Sequence, residues 1–433
     1  MARPEFTNWG RNHTCVPSTF QVPTSEREVE QVLAQALDAR QTVKVVGAGH
    51  SWSNAACTSG HMISLDGLDR VLDVDDTRHR VTVGAGIRLH RLIERLAGVG
   101  LALQNIGSVT QQSIAGAFST GTHGTGLRFG CLATQVVGMR MLSGDGQWRH
   151  LSAERSPELF AAARVNLGML GVITEVTLQA EPLYDLEERV FALPFEEARA
   201  RMMELVDAHE HVKFWWMPHT DQLQVFTYDR TSRPRTPPSL SRTLEEQVLN
   251  RWGFAALLGV GHRFPAIIPP TNRLVASGYM RSMRRVDRGD RLLSLAMPPV
   301  HREMEYGIPV ERAAELVGKV RRMIDHHGLR VNFPLEVRFV AADRTLLSPA
   351  AGRTSCQVGA YIGEGSDRAR FFQLFEQLAV DFEGRPHWGK EFSLRRRQLA
   401  AAWPGFERFD AIRRQLDPDK VFVNDFSRQV FGD

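Results

Sequence analysis

The sequence predicts an α+β protein of two domains, and three observations carry that expectation. As far as Pro182, short β-branched segments bounded by turn residues are interleaved with two amphipathic helical stretches. After Pro182 the pattern changes to strands alternating with long helices, which suits a sheet with helices on one face. The chain of 433 residues, 43% hydrophobic and 24% charged, is long and apolar enough for two separate cores.

Taken in order, Ser25 is the N-cap of a helix running to about Ala39, with Glu28 as its capping-box partner. The segments Val43 to Val46, Met62 to Leu65, Val71 to Asp75 and Arg80 to Gly84 read as strands. A helix from about Arg88 ends at Gly98, and strands follow at Val136 to Leu142 and Gly171 to Ala180. Beyond Pro182 come strands Val212 to Met217 and Leu223 to Tyr228, then helices Glu311 to His326 and Asp367 to Phe382. The Pro/Arg/Ser-rich stretch Thr231 to Arg242 reads as an exposed excursion.

Composition excludes several classes. With 53 basic against 49 acidic residues the net charge is +4, too slight and dispersed for a nucleic-acid or membrane partner. The runs Arg281 to Arg285 and Arg395 to Arg397 read as solvated helix faces. Cys15, Cys57, Cys131 and Cys356 form no Cys-x-x-Cys pair, so they are expected to be free thiols, with no metal site and no disulfide framework. No apolar leader follows Met1-Ala2-Arg3-Pro4-Glu5, and no stretch reaches the roughly 18 apolar residues of a spanning helix, so a cytoplasmic protein is expected. The apolar pieces Phe254 to Val260 and Phe264 to Ile268 either press against a membrane or partner or pack as ordinary core or loop; the packing reading is favoured.

Chemistry enters with two clusters of small residues. In Val45-Val46-Gly47-Ala48-Gly49-His50-Ser51-Trp52 the glycines let backbone N–H groups close on a phosphate-like anion beside an imidazole. Alone, this is equally the pattern of an ordinary turn. The second cluster runs through Asn105-Ile106-Gly107-Ser108, Ser113-Ile114-Ala115-Gly116-Ala117 and Ser119-Thr120-Gly121-Thr122-His123-Gly124-Thr125-Gly126, whose hydroxyls donate to phosphate without adding charge. Neither Gly-x-Gly-x-x-Gly entering a helix nor Gly-Lys-Ser/Thr occurs, so the Rossmann and Walker cradles are excluded.

These residues resemble the vanillyl-alcohol oxidase type of flavoprotein, and within it the aldonolactone oxidases and dehydrogenases. Gly47 to Ser51 resembles the family's pyrophosphate loop and Ser119 to Gly126 its second FAD loop. Phe333-Pro334-Leu335-Glu336-Val337-Arg338, Arg385-Pro386-His387-Trp388-Gly389-Lys390 and Leu416 to Asn424 resemble its substrate-side and terminal motifs. The resemblance implies an FAD-binding domain over 1–182, a substrate (cap) domain with an antiparallel sheet covered by helices over 183–410, and a return to the first domain over 411–433. It assigns to FAD the residues Gly47, Ala48, Gly49, His50 and Ser51, then Gly107, Ser108, Ser113 and Gly116. It adds Thr120, Gly121, Thr122, His123 and Gly126 from the second loop, and Ile173, Lys390 and Asn424 further on. His50 occupies the position where many members bond covalently to the flavin 8α-methyl group. Among the remaining histidines, His123 is the one expected to support the site structurally.

Oxidising an alcohol by hydride transfer needs a route for the hydroxyl proton and cations for developing charge. Glu336 and Arg338 are two apart on an expected strand, so both face one side and can grip one polyol; the ordinary alternative is a surface salt bridge. The resemblance makes both catalytic together with Lys390, whose ammonium it puts near the flavin's pyrimidine end. Glu303 and Tyr306 also sit in a family-like position, or are ordinary packing residues. The implied reaction is FAD-dependent oxidation of a gulono-, galactono- or arabinono-1,4-lactone. O2 is the implied acceptor because Gly107 leaves the flavin edge open where oxygen-excluding relatives carry alanine. An alditol oxidase acting on xylitol or sorbitol is the enzymatic alternative, since Ala341-Ala342-Asp343 after Arg338 also resembles that branch. A flavin-binding protein without polyol turnover, or one recruited to tailoring a natural product, is the alternative of another class.

Overall fold

The computed structural model describes residues 4–237, 253–279, 282–297, 299–363 and 367–432. Helix Glu26–Asp38 starts as expected at Ser25, whose hydroxyl accepts from the Glu28 N–H at 3.3 Å. The Glu28 carboxylate reaches one residue further back than a capping box requires and accepts from the Thr24 N–H at 2.7 Å. The helix buries Val29, Val32, Leu33 and Ala36, and its neighbour is a three-stranded parallel sheet in the order Thr19–Gln21, His61–Ser64, Val43–Val46. Glycines 47 and 49 follow the last of these strands, so the expected anion loop leaves the sheet at a strand's carboxyl end.

The second layer is a five-stranded antiparallel sheet in the order Trp148–Ser152, Val136–Ser143, Gly171–Gln179, Arg80–Gly84, Val71–Asp75. Helix Leu89–Gly98 follows it, and Gly100 turns the chain at φ +75°, a region that favours glycine.

The third layer is an eight-stranded antiparallel sheet: Met283–Arg288, Asp185–Pro194, Gln222–Arg230, His211–Trp216, Leu335–Val340, Ser355–Ile362, Arg302–Pro309, Arg385–Pro386. Strand alternation sorts its two faces. Val337 and Phe339 join the core with Leu316, Val320 and Phe375 of helices Ala313–His326 and Arg368–Asp381. Glu336 and Arg338 therefore point to the opposite face. The end of the chain closes on the first layer: the Val43 N–H donates to the Val421 carbonyl at 2.7 Å. The Lys44 ammonium donates to the carbonyls of Gly168 (3.1 Å) and Phe422 (3.2 Å).

Two further expectations are corrected. Arg284 and Arg285 lie on strand Met283–Arg288 and not on a helix face, because their guanidinium groups pair with Glu187 and Glu188 of the adjoining strand; Arg281 lies outside the described residues. The apolar segment after 253 forms helices Phe254–Arg263 and Ile268–Tyr279, and only part of it packs as core. Ile268 is buried, but Leu257, Val260, Phe264 and Leu274 are exposed, since the segment is anchored at one side by Asn272 donating to the carbonyls of Pro218 and Val331 (2.9 Å each). The four cysteines are free as expected, yet Cys15 and Cys57 are not far apart in space: their thiols pair, and burial together with that neighbour pushes the Cys57 thiol up to about 12. Part of the expected excursion, residues 238–242, lies outside the described residues.

Candidate active site

A channel runs along the first domain, lined by Val45 to Ser51 from one side and by Ser113, Gly116, Ser119, Thr120 and Ile173 from the other. The two glycine loops meet here backbone to backbone. A Cβ on Gly116 would stand 2.9 Å from Ser113 Oγ, and a Cβ on Gly47 would collide with the same hydroxyl. Ser113 also caps helix Ile114–Ser119 by accepting from the Gly116 N–H. Ser53 Oγ lines the channel buried and without a hydrogen-bond partner among the described residues. A cradle of glycines and hydroxyls with a donor to spare fits the phosphates of a dinucleotide such as FAD.

His50 lines the same channel, and an N-terminal strap covers its loop. Asn8 Nδ2 donates to the Ser51 carbonyl, Asn12 Nδ2 to the Trp52 carbonyl (2.8 Å each), and the Trp9 N–H to the Gly49 carbonyl (2.8 Å). Burial first, then the charges of Arg88 and Lys390, lowers the His50 imidazole to about 4, so it is neutral at pH 7. Asn424 supports the channel from behind: it caps helix Asp425–Phe431 and donates to the carbonyls of Asn54 (3.2 Å), Ala55 (3.0 Å) and Cys57 (2.9 Å). Gly121 (φ +79°) and Gly126 (φ +131°) hold turns that favour glycine, and the Gly126 N–H ties this loop to the Phe339 carbonyl of the large sheet at 2.8 Å. Thr122 Oγ1 accepts from Gln112 Nε2 at 3.3 Å.

The large sheet sets its polar residues in register. One row runs Glu305, Gly359, Glu336, Trp215, Gln224 across adjoining strands. Glu336 accepts from Trp215 Nε1 (2.7 Å), Arg338 (2.7 Å) and the Tyr361 hydroxyl (2.9 Å). Tyr361 reaches it because Gly359 has no side chain: a Cβ there would come within 2.7 Å of the Tyr361 ring. Burial pushes the Glu336 carboxyl up, but Arg338 and Lys213 outweigh it and hold it down to about 2. The same Arg338 donates to Ser108 Oγ at 2.6 Å, which joins the sheet face to the Gly107–Ser108 loop of the first domain. The expected pair and Ser108 therefore converge.

Lys390 is brought to this side of the molecule by the Trp388-Gly389 turn. Its ammonium pairs with Glu303, which is 2% exposed, and lies 4.3 Å over the Trp52 ring. Behind it, His123 Nε2 contacts Glu305 at 2.7 Å and Nδ1 contacts the Gly124 carbonyl at 2.9 Å. His387 Nδ1 accepts from the Gly389 N–H at 3.0 Å. The ligand atoms of His123, Glu305 and His387 lie within 4.8 Å of one another, and the His123–Glu305 hydrogen bond accounts for the closeness of two of them without an ion. Glu303 faces the site while Tyr306, of opposite parity on the same strand, is buried and donates its hydroxyl to Glu376. Asp343 serves its own loop, accepting from the Thr345 N–H (2.8 Å) and hydroxyl (2.7 Å).

Sequence reasoning did not find Trp215, Tyr361, Glu305 or Lys213. For Glu305 a signal was available, since Glu303 and Glu305 share a face by the same alternation that groups Glu336 with Arg338.

Channel, loops and sheet face define the class: a two-domain FAD-dependent oxidoreductase. The FAD binding domain profile matches residues 17–152, the part that carries both glycine loops. Within that class the chain belongs to the D-arabinono-1,4-lactone oxidase family, whose profile matches residues 176–430. It is 38% identical over 430 residues to the L-gulono-1,4-lactone dehydrogenase of Mycobacterium tuberculosis, spanning 99% of both chains. It is 33% identical to the L-gulonolactone oxidase of Scyliorhinus torazame, spanning 99% of this chain and 98% of that one. Among solved structures, the cholesterol oxidase of Brevibacterium sterolicum superposes with a TM-score of 0.83 at 15% identity, covering 99% of this chain and 97% of that one, a likeness of fold. Among the described residues no helix is long and apolar enough to cross a membrane.

Proposed function

We propose that the protein oxidises an aldono-1,4-lactone at the alcohol carbon next to the carbonyl, with FAD held covalently through His50 and O2 reoxidising it to H2O2. The observation that carries this reading is the buried Glu336–Arg338 pair tied to Ser108 of the second glycine cluster. Bound FAD supplies a ring that accepts hydride. Glu336, ionised at neutral pH, only accepts, so it takes a hydrogen bond from a substrate hydroxyl. Arg338 only donates, and its fixed positive charge stabilises the oxygen as its proton passes toward the Glu336 carboxylate. Lys390 adds a second cation, and Trp215 and Tyr361 hold the carboxylate in place. The family's relatives, named for gulono- and arabinonolactone, support the substrate class. The four free thiols support a reducing, cytoplasmic setting. Anaerobic spectra of the holoenzyme mixed with gulono-, galactono- and arabinono-1,4-lactone and with xylitol and sorbitol test the reading. Bleaching by a lactone is expected, and bleaching by alditols alone overturns it.

Covalent attachment is supported by the neutral His50 imidazole, whose free lone pair is the bonding form. The denatured protein band is expected to fluoresce on a gel, and His50→Ala to release the flavin into the supernatant. A dark wild-type band defeats the linkage.

The acceptor is argued from Gly107, because relatives carry both dehydrogenase and oxidase names. Gly107 is not among the glycines of positive φ, so alanine fits its backbone. A Cβ there would come to 2.9 Å from Thr122 Cγ2 and 3.3 Å from the His123 carbonyl, space that a small shift of the threonine provides. Gly107→Ala is therefore expected to slow reoxidation by O2 several-fold in stopped flow while leaving reduction by substrate and reoxidation by dyes near normal. Equal loss in both half-reactions contradicts the oxygen-access role.

A further inference from the structure

We propose that Lys213 is a substrate-binding residue that selects lactones by donating to the lactone carbonyl oxygen. The inference rests on the lactone-oxidising reading above. Lys213 lies on strand His211–Trp216, two residues before Trp215, and so shares the face that carries Glu336 and Arg338. Its side chain is 3% exposed. The ammonium stands over the rings of Trp215 at 4.9 Å and Phe226 at 4.7 Å and makes no hydrogen bond to any described residue.

A buried ammonium has three N–H donors to satisfy, and leaving them unpaired costs free energy. The ordinary explanation is a counter-ion. The carboxylates that face Lys213 are Glu336 and Glu188, and the cations are Arg338 and Arg285. Glu336 is already paired with Arg338, and Glu188 with Arg285 and the Tyr228 hydroxyl. Two carboxylates against two guanidinium groups balance without Lys213. It is the surplus cation on the face where substrate is gripped.

The groups of the substrate sort accordingly. Sugar hydroxyls both donate and accept, which suits an acceptor-only carboxylate beside a donor-only guanidinium. A lactone adds a carbonyl that only accepts, which suits an ammonium that only donates. Trp215 and Phe226 wall the ammonium, so an acceptor that reaches it meets it in a dry environment where a charge-assisted hydrogen bond is strong. Burial lowers Lys213 to about 8 against the pull of Glu336, whereas Glu336 (about 2) and Arg338 (raised) do not titrate near neutral pH.

The test compares a lactone with the 1,4-anhydroalditol of the same configuration, which keeps ring and hydroxyls and lacks the carbonyl. In the holoenzyme, Lys213→Met is expected to weaken lactone binding, read from the substrate dependence of anaerobic flavin reduction, roughly tenfold to a hundredfold. Competitive inhibition by the anhydroalditol is expected to change little. An equal loss for both ligands, or no loss for the lactone, overturns the assignment. A second arm uses the wild type and is independent of how the variant folds. With lactone mixed in by pH jump, its affinity is expected to fall about tenfold between roughly pH 7 and pH 9 as the ammonium loses its proton, with the anhydroalditol unaffected. A flat lactone profile overturns the proposal. A wild-type enzyme that no lactone reduces defeats the functional reading and this inference with it, whereas lactone turnover with unchanged Lys213→Met binding defeats the inference alone.

Discussion

Replacing Arg338 with alanine is expected to slow anaerobic flavin reduction by a lactone about a hundredfold or more, the usual loss when a positioned charge is removed from a developing oxyanion. The melting temperature is also expected to fall. Glu336 is 6% exposed, and without Arg338 it keeps, among the described residues, the hydrogen bonds of Trp215 and Tyr361 and the more distant charge of Lys213. Stranding a buried charge costs on the order of 3–5 kcal/mol, and the three remaining partners bring this toward the lower end. Rate and stability are therefore entangled in the single variant, and the double variant Glu336→Gln with Arg338→Met separates them. It removes both charges from the buried position, so melting is expected to recover. If the pair were only a salt bridge, activity would recover as well. The expected result is recovery of melting with reduction still slow, measured by calorimetry and stopped flow on the same preparations. Parallel recovery of both would take the pair out of the mechanism.

What the sequence made legible here was local. Glu336 and Arg338 are two apart on a strand, so their common face follows from the pleat alone. The glycine and hydroxyl loops betray themselves by composition, since no core needs that many small polar residues in 8–10 positions. The partners that tune the pair were not legible, because sheet register brings them in. Trp215 stands opposite Glu336 across 121 residues of chain, and Ser108 meets Arg338 across 230. No periodicity encodes such a pairing. In the sequence Glu303 and Tyr306 stand between a site role and packing, and alternation divides them: period two groups Glu303 with Glu305 and sends Tyr306 into the core. Arg284 and Arg285 looked like a helix face because a charge run carries no period. Their carboxylate partners on the neighbouring strand fix them as an edge strand.

Lys390 is where the largest loss of stability is expected. Its ammonium is the direct ion-pair partner of Glu303, a carboxylate 2% exposed whose Oε1 has no hydrogen bond among the described residues. His301 Nε2 lies 3.8 Å from the other oxygen, beyond hydrogen-bond distance. In Lys390→Met only His301, at 3.8 Å among the described residues, is left near the charge, so a cost of about 3–5 kcal/mol is expected, enough to lower the melting temperature by several degrees. The pH dependence supplies the sign. In the wild type burial pushes the Glu303 carboxyl up, and Lys390 together with His301 more than reverses this to leave it lowered, so its contribution is present at neutral pH and lost as pH falls through the folded value. Without Lys390 burial prevails and the folded value rises above the unfolded one. The variant should then regain stability on acidification and melt relatively better near about pH 5 than near about pH 8, the reverse of the wild-type contribution. Adding Glu303→Gln is expected to restore melting at neutral pH by removing the stranded charge. It should not restore fast flavin reduction, because the cation next to Trp52 is still missing. A double variant that melts normally and reduces at the wild-type rate would show that Lys390 serves the fold alone.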